Sequence, residues 1–301
     1  MRPIDALFNR EALVRLSRQF TDAYPDGRRD EDGAIDLPTL FSYETQELED
    51  APLYYVTRDM TALAVQASKS LPSEPLLATD PPTPYGFCVW DAPIGQIEDG
   101  ESDSVPIHGV FWRFSEGHYH EDDDPEGELT IYRSYEIYFL GAWRRMLIPF
   151  ANATWDIDDP GRPEGDWEPS HHLFNYVAQE PSGFDVAPET FQAVRSTWTL
   201  MGQTLAATSE YRDRAADRRA DRAGRPPSPI VVVMLRRLHR RSGDADGDGV
   251  DWSHQWLVSG HWRNQWLPSV NAHRLQWINP HVKGPDGAPL VLKDRVTVLG
   301  R

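Results

Sequence analysis

Five prolines fall between Leu71 and Pro84, and they separate two kinds of sequence pattern. A proline ring removes a backbone donor and clashes with the preceding helical turn, so this segment cannot be the interior of a helix. Before it, residues 5–24 carry apolar groups at intervals of three and four, which predicts an amphipathic helix with Asp5 as N-cap. A second helix is predicted from Thr57. Residues 1–71 are therefore expected to form an N-terminal helical region.

After the prolines, the pattern changes to aromatic and β-branched runs that are separated by acidic turns. These runs predict successive antiparallel strands in residues 85–90, 107–114 and 131–139. The stretch 143–150 fits either a fourth strand or a short helix. Residues 151–187 alternate proline, glycine and acid, which predicts a long loop. We therefore expect a β-rich region over residues 84–187.

Pro188 begins the segment with the clearest helical pattern, because apolar residues from Phe191 to Leu205 form a single stripe. Alternating Asp and Arg residues continue to Arg222, and Gly224 ends the pattern. We predict one long central helix over about residues 188–223, with Asp–Arg pairs at i,i+4 in its second half. A C-terminal antiparallel sheet follows. The predicted fold class is α+β, with residues 188–301 packed against 84–187 as one domain.

The charge of the chain is unevenly distributed. The 301 residues carry a net charge of −17, yet residues 211–301 hold 16 basic and 9 acidic groups. This division fits a basic surface that contacts nucleic acid on an otherwise acidic protein. The alternative is that both surfaces are simply solvated. There is no apolar run long enough to span a bilayer and no secretory signal, so no membrane contact is expected and the cytoplasm is the expected compartment.

The sequence carries no strong catalytic signature. We find no phosphate-binding glycine loop, no dinucleotide glycine pattern and no nucleophile elbow. The single cysteine, Cys88, lies within an apolar strand, which predicts a buried side chain and not a nucleophile. These absences disfavour an enzyme without excluding one, and no cofactor is expected.

Two local clusters are candidate metal sites. His118 and His120 would share one face if they lie on a strand, and they precede four acidic residues, which would suit a metal-dependent hydrolase or nuclease-type toxin. Asp244, Asp246 and Asp248 resemble the first half of a calcium loop, but Gln255 stands where the bidentate glutamate should be. Acidic turns in solvent are the alternative for both clusters.

The richest pattern lies between Arg236 and Trp277, where arginines and tryptophans are interleaved. Exposed aromatic rings stack on unpaired bases and guanidinium groups hold phosphates, which is how many proteins bind single-stranded RNA. The same residue types dominate protein-binding hot spots, and buried tryptophans are the structural alternative. We predict an exposed face that carries cations and rings together. The candidate binding residues are His261, Trp262, Arg263, Asn264, Trp266, Arg274 and Trp277.

The pattern Gly260-His261-Trp262, three residues, Trp266, then Trp277 near Pro280 resembles a large family of phage and plasmid proteins. That family includes a type V-A anti-CRISPR that acts on synthesis of the effector nuclease. The strand Phe87-Cys88-Val89-Trp90 is similar to an aromatic-Cys-Val-aromatic strand in the same protein. The resemblance implies a mobile-element protein that binds a nascent polypeptide, a ribosome–nascent-chain complex or its messenger RNA, and lowers expression of a host factor. It implies no catalytic residue.

Overall fold

The protein is represented by a computed structural model that describes residues 1–26, 44–72, 78–98, 104–119, 130–143, 146–157, 185–186, 188–236, 254–268, 271–285 and 288–291. Two compact units divide the chain at residue 236, with Met1–Arg236 in the first and Arg237–Arg301 in the second. The fold class is α+β, as predicted.

The first unit combines helices with one large mixed sheet. Its described helices are α1 (Pro3–Ala23), α2 (Thr45–Asp50), α3 (Arg58–Ser68), α4 (Pro188–Met201) and α5 (Arg214–Arg222). Its described strands are β1 (Leu53–Val56), β2 (Tyr85–Trp90), β3 (Gly95–Glu98), β4 (Ser104–Tyr119), β5 (Thr130–Trp143), β6 (Met146–Asp156), β7 (Asp185–Val186), β8 (Ala206–Tyr211) and β9 (Ile230–Leu235).

The strands pair in the order β6-β5-β4-β2-β1-β9-β8, and β3 lies beside β4 and pairs with β7. β1 runs parallel to both of its neighbours, β2 and β9, whereas the remaining pairings are antiparallel. All four residues of β1 are buried, as expected of a central strand that is covered on both faces.

Alternation along the strands distributes the core over the two faces of this sheet. One face packs against α1, α2 and α5, and its buried cluster includes Leu7, Leu48, Leu53, Phe87 and Phe111. The other face meets α4, where the Trp112 and Trp198 rings lie 5.3 Å apart and Phe139 meets Phe191 edge to face. The predicted strands at residues 85–90, 107–114 and 131–139 are confirmed within β2, β4 and β5.

Some predicted helix boundaries are confirmed and others are wrong. α3 begins directly after Thr57, as predicted. α1 begins at Pro3 instead of after Asp5, because Asp5 lies in the first turn and its carboxylate accepts a hydrogen bond from the Arg2 backbone N–H at 2.6 Å. The short strand β1 lies within the region that was expected to be helical, and the pattern did not reveal it.

The long central helix over residues 188–223 is wrong. α4 ends at Met201, the chain turns through Gly202, and β8 then pairs antiparallel with β9 before α5 begins. Gly202 lowers helix propensity, and the apolar strand β9 offers an edge on which residues 206–211 pair.

The predicted Asp–Arg pairs at i,i+4 are also wrong. In α5 the four-residue spacing joins like charges, Arg214 to Arg218 and Asp217 to Asp221. Asp217 pairs instead with Arg212 at 3.2 Å, and Asp213 caps the helix by accepting from the Ala216 backbone N–H at 2.7 Å.

The second unit consists of short strands in the described residues. Its strands are β10 (Gln255–Val258), β11 (His261–Leu267), β12 (Ala272–Ile278), β13 (His281–Lys283) and β14 (Leu290–Val291). β10 pairs with β13 and β14, while β11 and β12 form a separate antiparallel ribbon. Ser259 and Gly260 lie between β10 and β11 and belong to neither strand. None of the described helices has the length and apolar character that a bilayer crossing requires.

Candidate functional site

The ribbon formed by β11 and β12 contains all seven candidate binding residues. Its register places His261 opposite Ile278, Trp262 opposite Trp277, and Trp266 opposite His273. Residues that lie opposite each other in an antiparallel pair share a face, so this register decides which candidates come together.

Trp277 anchors the ribbon, because its side chain is only 4% exposed. The Trp262 ring meets the Trp277 ring edge to face at 5.3 Å. The indole N–H of Trp277 donates to Asn279 Oδ1 at 3.0 Å. A side chain at Gly260 would overlap the same indole and would lie 3.1 Å from Cδ of Pro280. Glycine at this position therefore makes room for the buried ring.

These contacts give the Gly-His-Trp pattern a structural role. Four of the residues that carry the resemblance, Gly260, Trp262, Trp277 and Pro280, build a small packed cluster. His261 is different, because it is exposed and its Nδ1 lies 3.0 Å from the backbone oxygen of Ser259. Pro280, His261 and Trp266 are the exposed residues of the motif, and His261 and Trp266 are the two of these that lie on the ribbon.

The ribbon separates rings from cations, so the expectation of one face that carries both is wrong. Trp262, Asn264 and Trp266 lie on one face of β11, and His261 and Arg263 lie on the other. Arg274 pairs with Gln265 and therefore shares the face of Arg263. Neighbouring residues of a strand point to opposite faces, which makes this separation unavoidable.

The aromatic face keeps one accessible ring pair. Trp266 is 42% exposed, and the His273 ring lies 5.0 Å from it at an angle of 56°. Asn264, also exposed, shares this face and offers an amide group. A flat apolar ring next to hydrogen-bonding groups is suited to stacking on a planar ligand.

The opposite face carries two exposed guanidinium groups. Arg263 Nη2 donates a 3.4 Å hydrogen bond to Gln276 Oε1, and Arg274 is exposed on the neighbouring strand. Within the ranges that the structure describes, neither arginine forms an ion pair. Both guanidinium groups therefore keep donors for an anion.

The two metal-site hypotheses fall on parts of the chain that are not described. His118 belongs to the backbone of β4, but its side chain, like His120, Asp244, Asp246 and Asp248, lies outside the described residues. Among the residues that are described, no group of three or more His, Cys, Asp or Glu side chains could hold a metal ion. Cys88 is fully buried, as predicted, and burial raises the pKa of its thiol.

A partly buried polar cluster in the first unit was not predicted. Arg113 on β4 contacts Glu44 at 2.8 Å and Glu136 on β5 at 3.4 Å, while Glu47 of α2 lies 3.9 Å away. The sequence places Arg113 and Glu136 on predicted strands, but only the register makes them partners. We assign this cluster a role in joining α2 to the sheet.

Two opposing influences act on the Glu44 carboxyl group. Burial raises its pKa from an ordinary 4.5 to about 7, helped by Glu136 and Glu47 and opposed by Arg113. The ion-pair distance alone would favour the carboxylate, but three carboxyl groups share one guanidinium, so burial and like-charge repulsion prevail.

The raised pKa of Glu44 predicts a pH dependence of stability. The folded state holds this proton more tightly than the unfolded state, so the stabilisation is complete below about pH 4.5 and is lost as the pH rises through about 7. Through Glu44, the unfolding free energy of the wild type should fall by on the order of 1–2 kcal/mol from acid to neutral pH, after allowance for residual solvation. Glu44→Gln should remove this fall.

Denaturant unfolding of both proteins at mildly acidic and mildly alkaline pH measures this effect. Glu47→Gln, a more exposed carboxyl of the same cluster, is the matched control and should retain most of the wild-type dependence. If Glu44→Gln and the wild type vary in parallel with pH, the assignment of the titration to Glu44 is wrong.

Comparison with known proteins gives one structural similarity and no sequence similarity. No protein-family model matches the chain, and no curated protein matches it significantly. The crystal structure of AcrVA2, a type V-A anti-CRISPR, is similar to the chain with a TM-score of 0.37 and 10% identity over 92% of this chain and 94% of the other. A TM-score this low does not establish a common fold or a shared family.

Proposed function

We propose that this protein is a non-catalytic binding protein whose β11–β12 ribbon contacts single-stranded RNA. The exposed Trp266–His273 pair is the observation that carries the proposal. The exposed guanidinium groups of Arg263 and Arg274, which form no ion pair with any described residue, support it. The setting we propose is the one implied by the sequence motif, a mobile-element protein that acts on translation complexes and lowers expression of a host factor.

Because rings and cations lie on opposite faces of the ribbon, each face would contact a different part of the RNA. A base would stack on the Trp266 ring, with Asn264 and His273 beside it to donate or accept hydrogen bonds. The sugar-phosphate chain would pass along the ribbon edge to reach Arg263 and Arg274 on the other face. Stacking tolerates any base, so little sequence preference is expected.

Trp266→Ala should weaken the binding of a fluorescein-labelled oligouridine by on the order of tenfold or more, because stacking contributes about 1–3 kcal/mol per base. Fluorescence anisotropy measures the dissociation constant. Leu257→Ala is the matched control, since Leu257 is an exposed apolar residue of the same unit, 52% accessible, and should leave binding unchanged. Equal affinities for the wild type and Trp266→Ala would contradict the stacking role.

Arg263→Ala and Arg274→Ala should each lower affinity and flatten its dependence on salt by roughly one unit of slope or less, because each removes one phosphate contact. The titrations are repeated between about 50 and 200 mM salt, where phosphate contacts have large effects. Lys283→Ala, which removes an exposed cation on β13, is the control.

A tagged chain recovered from cells identifies the natural partner. We expect RNA to copurify with the wild type and to be depleted with Arg263→Ala and His261→Ala. Nuclease treatment before recovery distinguishes direct RNA binding from binding of a ribosome–nascent-chain complex through protein. Recovery of a protein partner that resists nuclease, with no RNA on the untreated chain, would replace RNA by a polypeptide ligand.

A further inference from the structure

A row of arginines on α5 forms a second charged surface, far from the ribbon in sequence. Arg214, Arg218 and Arg222 follow one another at four-residue spacing and all three are exposed. Four residues of an α-helix rise by about 6 Å, so the three guanidinium groups repeat at a regular interval along one stripe of the helix. We call these three residues the arginine ridge.

The arginine ridge is held in a fixed arrangement by the helix itself. Arg218 Nε donates to the backbone oxygen of Arg214 at 3.1 Å, and Arg222 Nε donates to that of Arg218 at 3.1 Å. These bonds occupy the Nε atoms of Arg218 and Arg222 and leave the two terminal nitrogens of each of these groups for another partner. In the described part of the chain, none of the three forms an ion pair.

The acidic residues around α5 do not neutralise the ridge. Asp213 is engaged at the helix N-terminus and Asp217 pairs with Arg212. Residues 212–225 contain six arginines against three aspartates, within a chain of net charge −17. Like charges at i,i+4 destabilise a helix. Asp217 and Asp221 follow Arg214 and Arg218 at i,i+3, but neither comes within ion-pair distance of the ridge in the described chain. A bound polyanion would relieve the repulsion within the row.

We infer that the arginine ridge binds the phosphate backbone of the RNA. A single strand presents phosphates at a regular repeat, and guanidinium groups pair with phosphate oxygens through two parallel hydrogen bonds. An anionic membrane fits less well, because the ridge has no large apolar side chain between its arginines to enter the bilayer. The inference rests on the proposed function for the identity of the ligand, but it places a contact in the first unit.

Neutralising the ridge should change both affinity and salt dependence. Arg214→Gln, Arg218→Gln and Arg222→Gln are combined in one variant, and binding to labelled oligouridine is followed by anisotropy between about 50 and 200 mM salt. The expected result is a loss of at least about tenfold at low salt and a slope reduced by about two, since each single-strand phosphate contact contributes about 0.7.

A matched triple variant separates the ridge from net charge. Arg2→Gln, Arg15→Gln and Lys69→Gln remove the same charge from exposed positions of the same unit and should change the slope much less. Equal losses in the two triple variants, or an unchanged slope in the ridge variant, would overturn the inference. If the ridge triple variant fails to fold, Arg222→Gln at the exposed end of α5 replaces it, with a slope change of about 0.7 expected.

The proposed ribbon contact and the ridge inference can be contradicted independently. If Trp266→Ala binds like the wild type but the ridge variant does not, the proposed ribbon contact fails and the ridge stands. If only the ribbon variants lose affinity for RNA, the ridge inference fails. Binding of the wild type to anionic phosphatidylserine vesicles, lost in the ridge variant and accompanied by no RNA binding, overturns both assignments to RNA.

Discussion

Replacing Trp277 with alanine should unfold the β11–β12 ribbon while leaving the first unit folded. The side chain is almost fully buried, contacts Trp262 and donates to Asn279, and fills the space that Gly260 leaves open. Removing a buried aromatic side chain costs about 3–5 kcal/mol. The second unit has fewer than a hundred residues, and units of this size have little stability to lose.

Hydrogen exchange measured by mass spectrometry tests this expectation, because it reports protection for individual peptides along the chain. In Trp277→Ala, peptides that cover residues 261–278 should lose their protection, while peptides from β1, β2 and β9 keep theirs. Trp266→Ala is the control, because it removes the same ring from an exposed position of the same ribbon. Retained protection of the ribbon in Trp277→Ala would show that the cluster around Gly260 is not what holds it together.

Trp112→Ala should destabilise the first unit by about 3–5 kcal/mol, which lowers its melting temperature by on the order of ten degrees. The ring is fully buried between Tyr54 and Trp198, and its indole N–H donates to the backbone oxygen of Thr83 at 2.9 Å. Alanine would leave a large cavity between the sheet and α4, and would strand that carbonyl without its donor.

Calorimetry measures the effect, with Phe8→Ala as the matched control. Phe8 is an aromatic residue of the same unit, but it lies exposed on α1 and should contribute far less. A melting temperature for Trp112→Ala within a degree or two of the wild type would mean that the contact between the sheet and α4 is not central to the first unit.

The structural features that depend on only a few neighbouring residues were predicted correctly. Aromatic and β-branched runs predicted β2, β4 and β5, and a burial role was predicted for Cys88. In each case one face of a covered strand must be apolar, and that requirement is visible in the sequence itself.

Elements that depend on distant partners were not predictable in the same way. β1 has only four residues, and a short apolar run between two helices does not distinguish strand from helix. β8 is a polar edge strand whose pairing with β9 comes from tertiary structure, so the helical pattern on either side of it predicted one long helix. Here the sheet prevailed over local propensity.

The arrangement of the candidate residues depends mostly on strand register, which the sequence did not predict. All seven residues lie on one ribbon, yet the register decides that Trp262 meets Trp277 and that Trp266 meets His273. Adjacent strand residues always face opposite ways, so the separation of Trp262 from Arg263 follows from the sequence alone. Which tryptophan is buried required the structure, since Gly260 and Pro280 complete the packing around Trp277.

Photocrosslinking to a thiouridine-containing single-stranded RNA, followed by peptide mass spectrometry, tests the contact between RNA and the ribbon most directly. We predict crosslinked peptides from β11 and β12, with the adduct at or next to Trp266 and a clear loss in Trp266→Ala. RNA that fails to crosslink, or that crosslinks only to peptides outside residues 261–278 and is unaffected by Trp266→Ala, would contradict the proposal that this ribbon is the RNA-binding surface.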